Sequence, residues 1–122
     1  MNVEKLSDLA LAYLPLIDDK RKCKHVSIIT YKNNFVTAGV NQMKTHPLAR
    51  EYKYRFDEVH SELDAWLKIR DKNKPYSLVN FRFGHNNEMR MARPCKLCMP
   101  WCKQIFKSIY YSTRYGMVRE VY

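Results

Sequence analysis

The 122-residue chain contains no apolar run long enough to cross a bilayer, no internal repeat and no low-complexity linker. A spanning helix takes about 20 consecutive apolar residues, and the most apolar stretch, 9–14, falls far short. Nor does that stretch read as a secretion signal. Glu4 and Asp8 stand where a basic segment belongs, and Asp18-Asp19 follow with no small-residue cleavage site. A membrane partner is therefore not expected, and the expected location is the cytoplasm (the host cytoplasm if the chain is viral). Cysteine is sparse: Cys23, Cys95, Cys98 and Cys102. In a non-secreted chain a Cys-x-x-Cys pair is a metal or redox site more often than a structural disulfide. Acidic residues are outnumbered, with 12 Asp and Glu against 22 Lys and Arg and a formal charge of +10. That balance favours an anionic partner, a nucleotide or a polynucleotide.

What is present suits one domain spanning 1–122. A chain this size buries roughly two-thirds of its unfolded surface, enough for a core without disulfides. Its apolar fraction of 46% and its many aromatic residues argue against disorder.

Leu6, Leu9, Ala10, Tyr13, Leu14 and Ile17 recur at helical spacing, with Asn2 as a candidate cap and Pro15 ending or kinking the helix near Leu14. A basic connector, 20–25, follows. Segments 26–31 and 35–40 are β-rich, with Asn33-Asn34 as the expected tight turn. Segment 42–55 has no clear period and contains Pro47, so it reads as a loop. Asp57 is a candidate cap for a second helix carrying Val59, Leu63, Trp66, Leu67 and Arg70, which puts His60 and Glu62 in its first turn. Segment 77–83 reads as a strand with Val79, Phe81 and Phe83 on one face and Asn80 and Arg82 on the other. A polar loop, 84–93, leads to Pro94, a residue that favours the first helical position. Cys95, Cys98, Cys102, Ile105 and Phe106 then form one stripe, and Pro100 is awkward just past the first turn. Two more β-rich runs, 109–112 and 117–121, are too close for anything but an antiparallel hairpin. The order α-β-β-α-β-α-β-β gives a mixed sheet of about five strands with helices on both faces, an α/β fold.

Two short stretches carry chemistry. One is His60-Ser61-Glu62; the other is Pro94-Cys95-Lys96-Leu97-Cys98. His60, Cys95 and Cys98 are three ligands suited to Zn2+, and they leave a fourth tetrahedral position for water. Glu62 then offers a carboxylate beside that water. Two readings stay open from spacing alone. A structural zinc site would recruit a fourth ligand, with Cys102 or His85 as candidates, and a redox pair would need only the cysteines. Cys23 carries no expected role, and His25, His46 and His85 read as ordinary surface or core histidines.

An H-x-E followed by P-C-x-x-C resembles the zinc-dependent cytidine and deoxycytidylate deaminase superfamily. The likeness covers roughly 26–122 and includes the element order. Its small size and its 39–47 loop are similar to compact phage-encoded members. The resemblance implies a three-layer cytidine-deaminase-like fold. It also implies His60, Cys95 and Cys98 as zinc ligands, Glu62 as proton shuttle, and Asn41 as a contact to the substrate sugar. The backbone N–H groups of Ser61 and Cys95 would lie near the attacking oxygen. Compact members are commonly homo-oligomers. Three residues depart from the family pattern: Ser61 replaces the usual Ala, Arg93 stands where Glu or Ser is more usual, and Pro100 interrupts the third helix. An antiparallel last strand resembles the cytidine-deaminase division, whereas the deoxycytidylate, tRNA and polynucleotide editors have a parallel one after a longer connection.

The expected function is hydrolytic deamination of cytosine to uracil in a free pyrimidine nucleoside or nucleotide, with the deoxycytidylate type favoured. Arg82, Arg90 and Arg93 would supply phosphate contacts. Deamination of cytosine or adenine within single-stranded DNA or RNA is the alternative, suited by the charge and nine tyrosines. A non-catalytic zinc-stabilised binding module is a third reading.

Overall fold

A computed structural model describes residues 2–17, 24–41, 60–84 and 86–120. Among these, three α-helices and six strands form a three-layer α/β sandwich around one mixed sheet. The sequence order is α1 (Val3–Ala12), a 3-10 turn (Leu14–Leu16), β1 (Lys24–Tyr31), β2 (Asn34–Val40), α2 (Ser61–Leu67), β3 (Ser77–Phe83), β4 (Met89–Arg90), α3 (Met99–Ile105), β5 (Ser108–Thr113) and β6 (Gly116–Arg119). Across the sheet the order is β2-β1-β3-β5-β6, with the short β4 paired to β3. β1 runs antiparallel to both β2 and β3, β3 and β5 are parallel, and β5–β6 is the expected antiparallel hairpin.

The pleat sorts each strand onto two faces. Val26, Ile28, Val79, Phe81 and Phe83 point to one side, where Leu6, Ala10, Leu14 and Ile17 cover them. Ile29, Leu78 and Ile109 point to the other, against Leu63 and Ala65 of α2 and Met99, Trp101 and Cys102 of α3. Each fully buried aliphatic or aromatic side chain contributes roughly 1.5–3 kcal/mol, so both cores are needed to hold the sheet. α1 begins as expected, with the Asn2 side chain accepting from the Lys5 N–H at 3.0 Å. It stops at Ala12, and Pro15 serves the following 3-10 turn.

Several boundaries differ from the sequence expectation. The β1–β2 turn is Lys32-Asn33, both at positive φ (50° and 65°), one residue earlier than Asn33-Asn34. Two such residues make the primed turn whose twist matches a hairpin. Lys24 and His25 belong to β1, because they pair with Phe83 and Arg82; the rest of the basic connector lies outside the described residues. The loop 42–55 and the Asp57 cap lie outside them too. His60 occupies the N-cap position, so α2 starts at Ser61. The third helix starts at Met99, well after Pro94, with Cys98 as its N-cap. Pro100 therefore falls in the first positions of α3, where a missing N–H costs nothing. The sheet gains a sixth strand, β4, inside the expected 84–93 loop.

Candidate metal centre

His60 leaves the extended backbone at φ −70°, ψ 155° and caps α2 by position without a side-chain capping bond. Its own carbonyl accepts from the Asp64 N–H at 2.9 Å, starting the helix. Pro94 is buried ahead of a tight turn in which the Cys95 carbonyl accepts from the N–H groups of Cys98 (3.0 Å) and Met99 (2.8 Å). That turn brings Cys95 and Cys98 to one side, half-exposed rim and buried floor respectively.

The His60 Nδ1 lies 3.4 Å from Cys98 Sγ and 3.6 Å from Cys95 Sγ. All three donor atoms fall within 4.8 Å of one another. A tetrahedral zinc bound at its usual distances sets nitrogen and sulfur about 3.6 Å apart, so the cluster fits that ion in spacing and in donor chemistry. Among the described residues no further His, Cys, Asp or Glu joins the cluster. Cys102, one candidate fourth ligand, lies on the buried face of α3 instead, where burial pushes its thiol well above the ordinary value. His85, the other candidate, lies outside the described residues, as do Cys23 and His46.

The Cys95 thiol is held down to about 3. The hydrogen bond from Cys98 is the main cause, with His60 and the N–H groups of Cys98 and Leu97 adding to it against the cost of burial. Thiolate is the metal-binding form of cysteine, so the site is charged for a cation before one arrives.

Glu62 is buried (5% exposed) yet stands outside the ligand cluster. The Ser61 hydroxyl donates to its Oε1 at 3.0 Å. Ser61 in turn meets the Ser27 hydroxyl at 2.7 Å, and Ser27 donates to Asn80 Oδ1 at 2.6 Å. On the far side of α2, Asp64 accepts from the Val40 N–H at 3.0 Å and pairs with Lys68 at 3.3 Å, which ties the helix to the end of β2.

Asn41 follows β2, and its Oδ1 accepts from the His25 N–H at 3.2 Å. His25 is a neighbour that sequence reasoning set aside. Burial lowers its pKa, and the charges felt there are Glu62, Arg82, His60 and Cys95. The available signal was the period-2 pattern, which puts residue 25 on the same face as Ser27 and Ile29. Arg93 is exposed, and its guanidinium forks onto Glu120 at 2.7 and 3.2 Å. Each raises or lowers the other in the direction of a stable ion pair. Arg82, Arg90 and Arg114 line a groove of about 660 Å³ together with Glu88, Met89, Met91 and Tyr115; the metal ligands do not line it.

No helix among the described residues is long and apolar enough to cross a membrane. No protein-family model, curated protein or solved structure matches the chain.

Proposed function

We infer that the protein is a zinc-dependent deaminase that converts cytosine to uracil in a free pyrimidine nucleoside or nucleotide, with water consumed and ammonia released. One observation carries this reading: three clustered ligands with no fourth among the described residues, and a buried carboxylate two positions from one of them. His60, Cys95 and Cys98 would hold the ion. Bound there, zinc supplies Lewis acidity that brings water toward hydroxide near neutral pH.

The rest falls to the chain. Glu62 takes the proton of the attacking water, delivers it to the ring nitrogen of cytosine, and later protonates the departing amine. Ser61 anchors one carboxylate oxygen, which leaves the other to carry the proton. Asn41 lies at the C-terminal end of β2, with its side chain on the start of β1, a placement suited to a sugar hydroxyl. A buried site favours this chemistry, because a proton held by Glu62 is kept from bulk water.

The test is ammonia release from cytidine, deoxycytidine and their monophosphates with zinc-loaded protein. No turnover of any of them would sink the reading in favour of a non-catalytic module. Glu62→Gln should retain zinc and fold while losing at least about a hundredfold in turnover, the usual scale for a general acid–base group. The groove supports a second reading, deamination within single-stranded nucleic acid. It is lined by three arginines, with Tyr115 91% exposed at its rim as a stacking surface. Tight oligonucleotide binding that weakens steeply with salt would favour it.

A further inference from the structure

A line of buried polar groups links α2, β1 and β3 next to the candidate ligand His60. Ser27 of β1, Ser61 of α2 and Asn80 of β3 are 0%, 2% and 3% exposed. At one end the Ser61 hydroxyl donates to Glu62 Oε1 (3.0 Å). In the middle Ser61 and Ser27 meet at 2.7 Å, and Ser27 donates to Asn80 Oδ1 at 2.6 Å; two hydroxyls hold two protons for three contacts, so Ser61 donates to Glu62 when that carboxyl is ionised and to Ser27 when it is protonated. At the other end Asn80 Nδ2 donates to the Ala92 carbonyl at 3.3 Å. Ala92 belongs to the strap that delivers Cys95. Its N–H donates to the Ser112 carbonyl of β5 at 2.9 Å, and the Ser112 hydroxyl donates to the Arg90 carbonyl at 2.8 Å. The strap is therefore sewn to β3 through Asn80 and to β5 through Ser112.

An apolar core would fill this space at lower cost, since a buried polar group stabilises only when every partner is present. The arrangement does something an apolar core cannot. It connects the carboxylate beside one candidate ligand to the backbone leading to another through three side chains, Ser61, Ser27 and Asn80. An amide suits that role, because Oδ1 accepts on the Glu62 side while Nδ2 donates on the Cys95 side.

We propose that Asn80 is a positioning residue of the metal centre: through Ser27 and Ser61 it fixes Glu62, and through the Ala92 carbonyl it fixes the strap that carries Cys95. The Glu62 branch rests on the deaminase reading above; the strap branch does not.

The two branches can be cut separately. Ser27→Ala removes the link to Ser61 and leaves the amide on Ala92. It should lower kcat about tenfold and lower the melting temperature, because Asn80 Oδ1 loses its donor, with KM and zinc affinity close to wild type. Asn80→Asp keeps an acceptor for Ser27 but loses the donor to Ala92. It should weaken zinc about tenfold in chelator competition, with less change in kcat once zinc is saturating. Should the buried Asp prevent folding, Asn80→Leu, which has the same branching and no polar atoms, should show both losses. The cobalt-loaded protein gives a further signature, because the Asn80 variants should shift its d–d absorption and Ser27→Ala should not. Losses of rate, zinc and stability in fixed proportion across all variants would mean a purely structural network and overturn the proposal, as would wild-type values throughout. If wild-type protein turns over no cytosine substrate, the deaminase reading fails while the zinc and cobalt measurements still decide the strap branch.

Discussion

Cys95 is where the charge state of the centre can be measured one side chain at a time. Its thiol sits on the rim with a pKa of about 3, so above roughly pH 4 it is a thiolate. Iodoacetamide labelling of the metal-free protein, followed by mass spectrometry, should modify Cys95 at a rate nearly flat from pH 5 to pH 8. A thiol at the ordinary value of about 8.5 would instead speed up about tenfold per pH unit over that range. Zinc should protect it, and buried Cys102 should stay unmodified. At this scale the sequence made the His60, Cys95 and Cys98 cluster legible, because each belongs to a short local pattern. It hid the partners, because those are far along the chain. Arg93 reads as a substrate-facing cation until Glu120, 27 residues on, is seen in its fork. His25 reads as an ordinary histidine until strand pairing sets it beside Arg82 and within the field of Glu62.

Among elements, the decisive packing is α2 against β2. A Cβ added to Gly39 would sit 2.6 Å from the Ser61 carbonyl oxygen and 2.8 Å from the Ala65 Cα. These are backbone atoms of the helix that carries His60 and Glu62, and they cannot swing aside. Gly39→Ala should therefore cost about 3 kcal/mol or more, at or beyond the top of the usual overpacking range, and should weaken zinc because the helix must back away. Thermal unfolding with and without metal checks both. Elements were legible where periodicity is strong, as in β3, whose bounds match the expectation. Helix starts were not. Asp57 and Pro94 look like start signals, yet the positions that start α2 and α3 are His60 and Cys98, neither of which makes a side-chain capping bond. Ordinary capping residues would add about 1 kcal/mol at each. The two starts are thus occupied by members of the His60/Cys95/Cys98 cluster in place of caps, and propensity rules cannot foresee that choice.

At the level of the whole molecule, the mixed sheet and its two helical layers were legible from the element order, since a short last connection permits only a hairpin. What the order could not convey is the sewing of 90–92 onto β3 and β5, which depends on side chains meeting across the parallel pair. The ligands also span a large part of the chain: His60 and Cys95 are 35 residues apart. Cys98→Ser should accordingly lose stoichiometric zinc and lower the melting temperature together, with chelator bringing the wild type down to a similar value. Retained zinc in that variant would count against the ligand set. The span has a further consequence. An ion held by His60 and Cys95 closes a ring around α2, β3 and β4, and leaves α1, the β1–β2 hairpin and the β5–β6 hairpin outside it. Cross-linking a loop of that length removes roughly 4 kcal/mol of unfolded-chain entropy. The benefit falls unevenly: amide exchange in β3 should slow on metal loading far more than exchange in the α1 layer. The centre would then act as a clasp on the middle strand of the sheet, and loss of the ion would be felt first as freedom of the chain between the ligands.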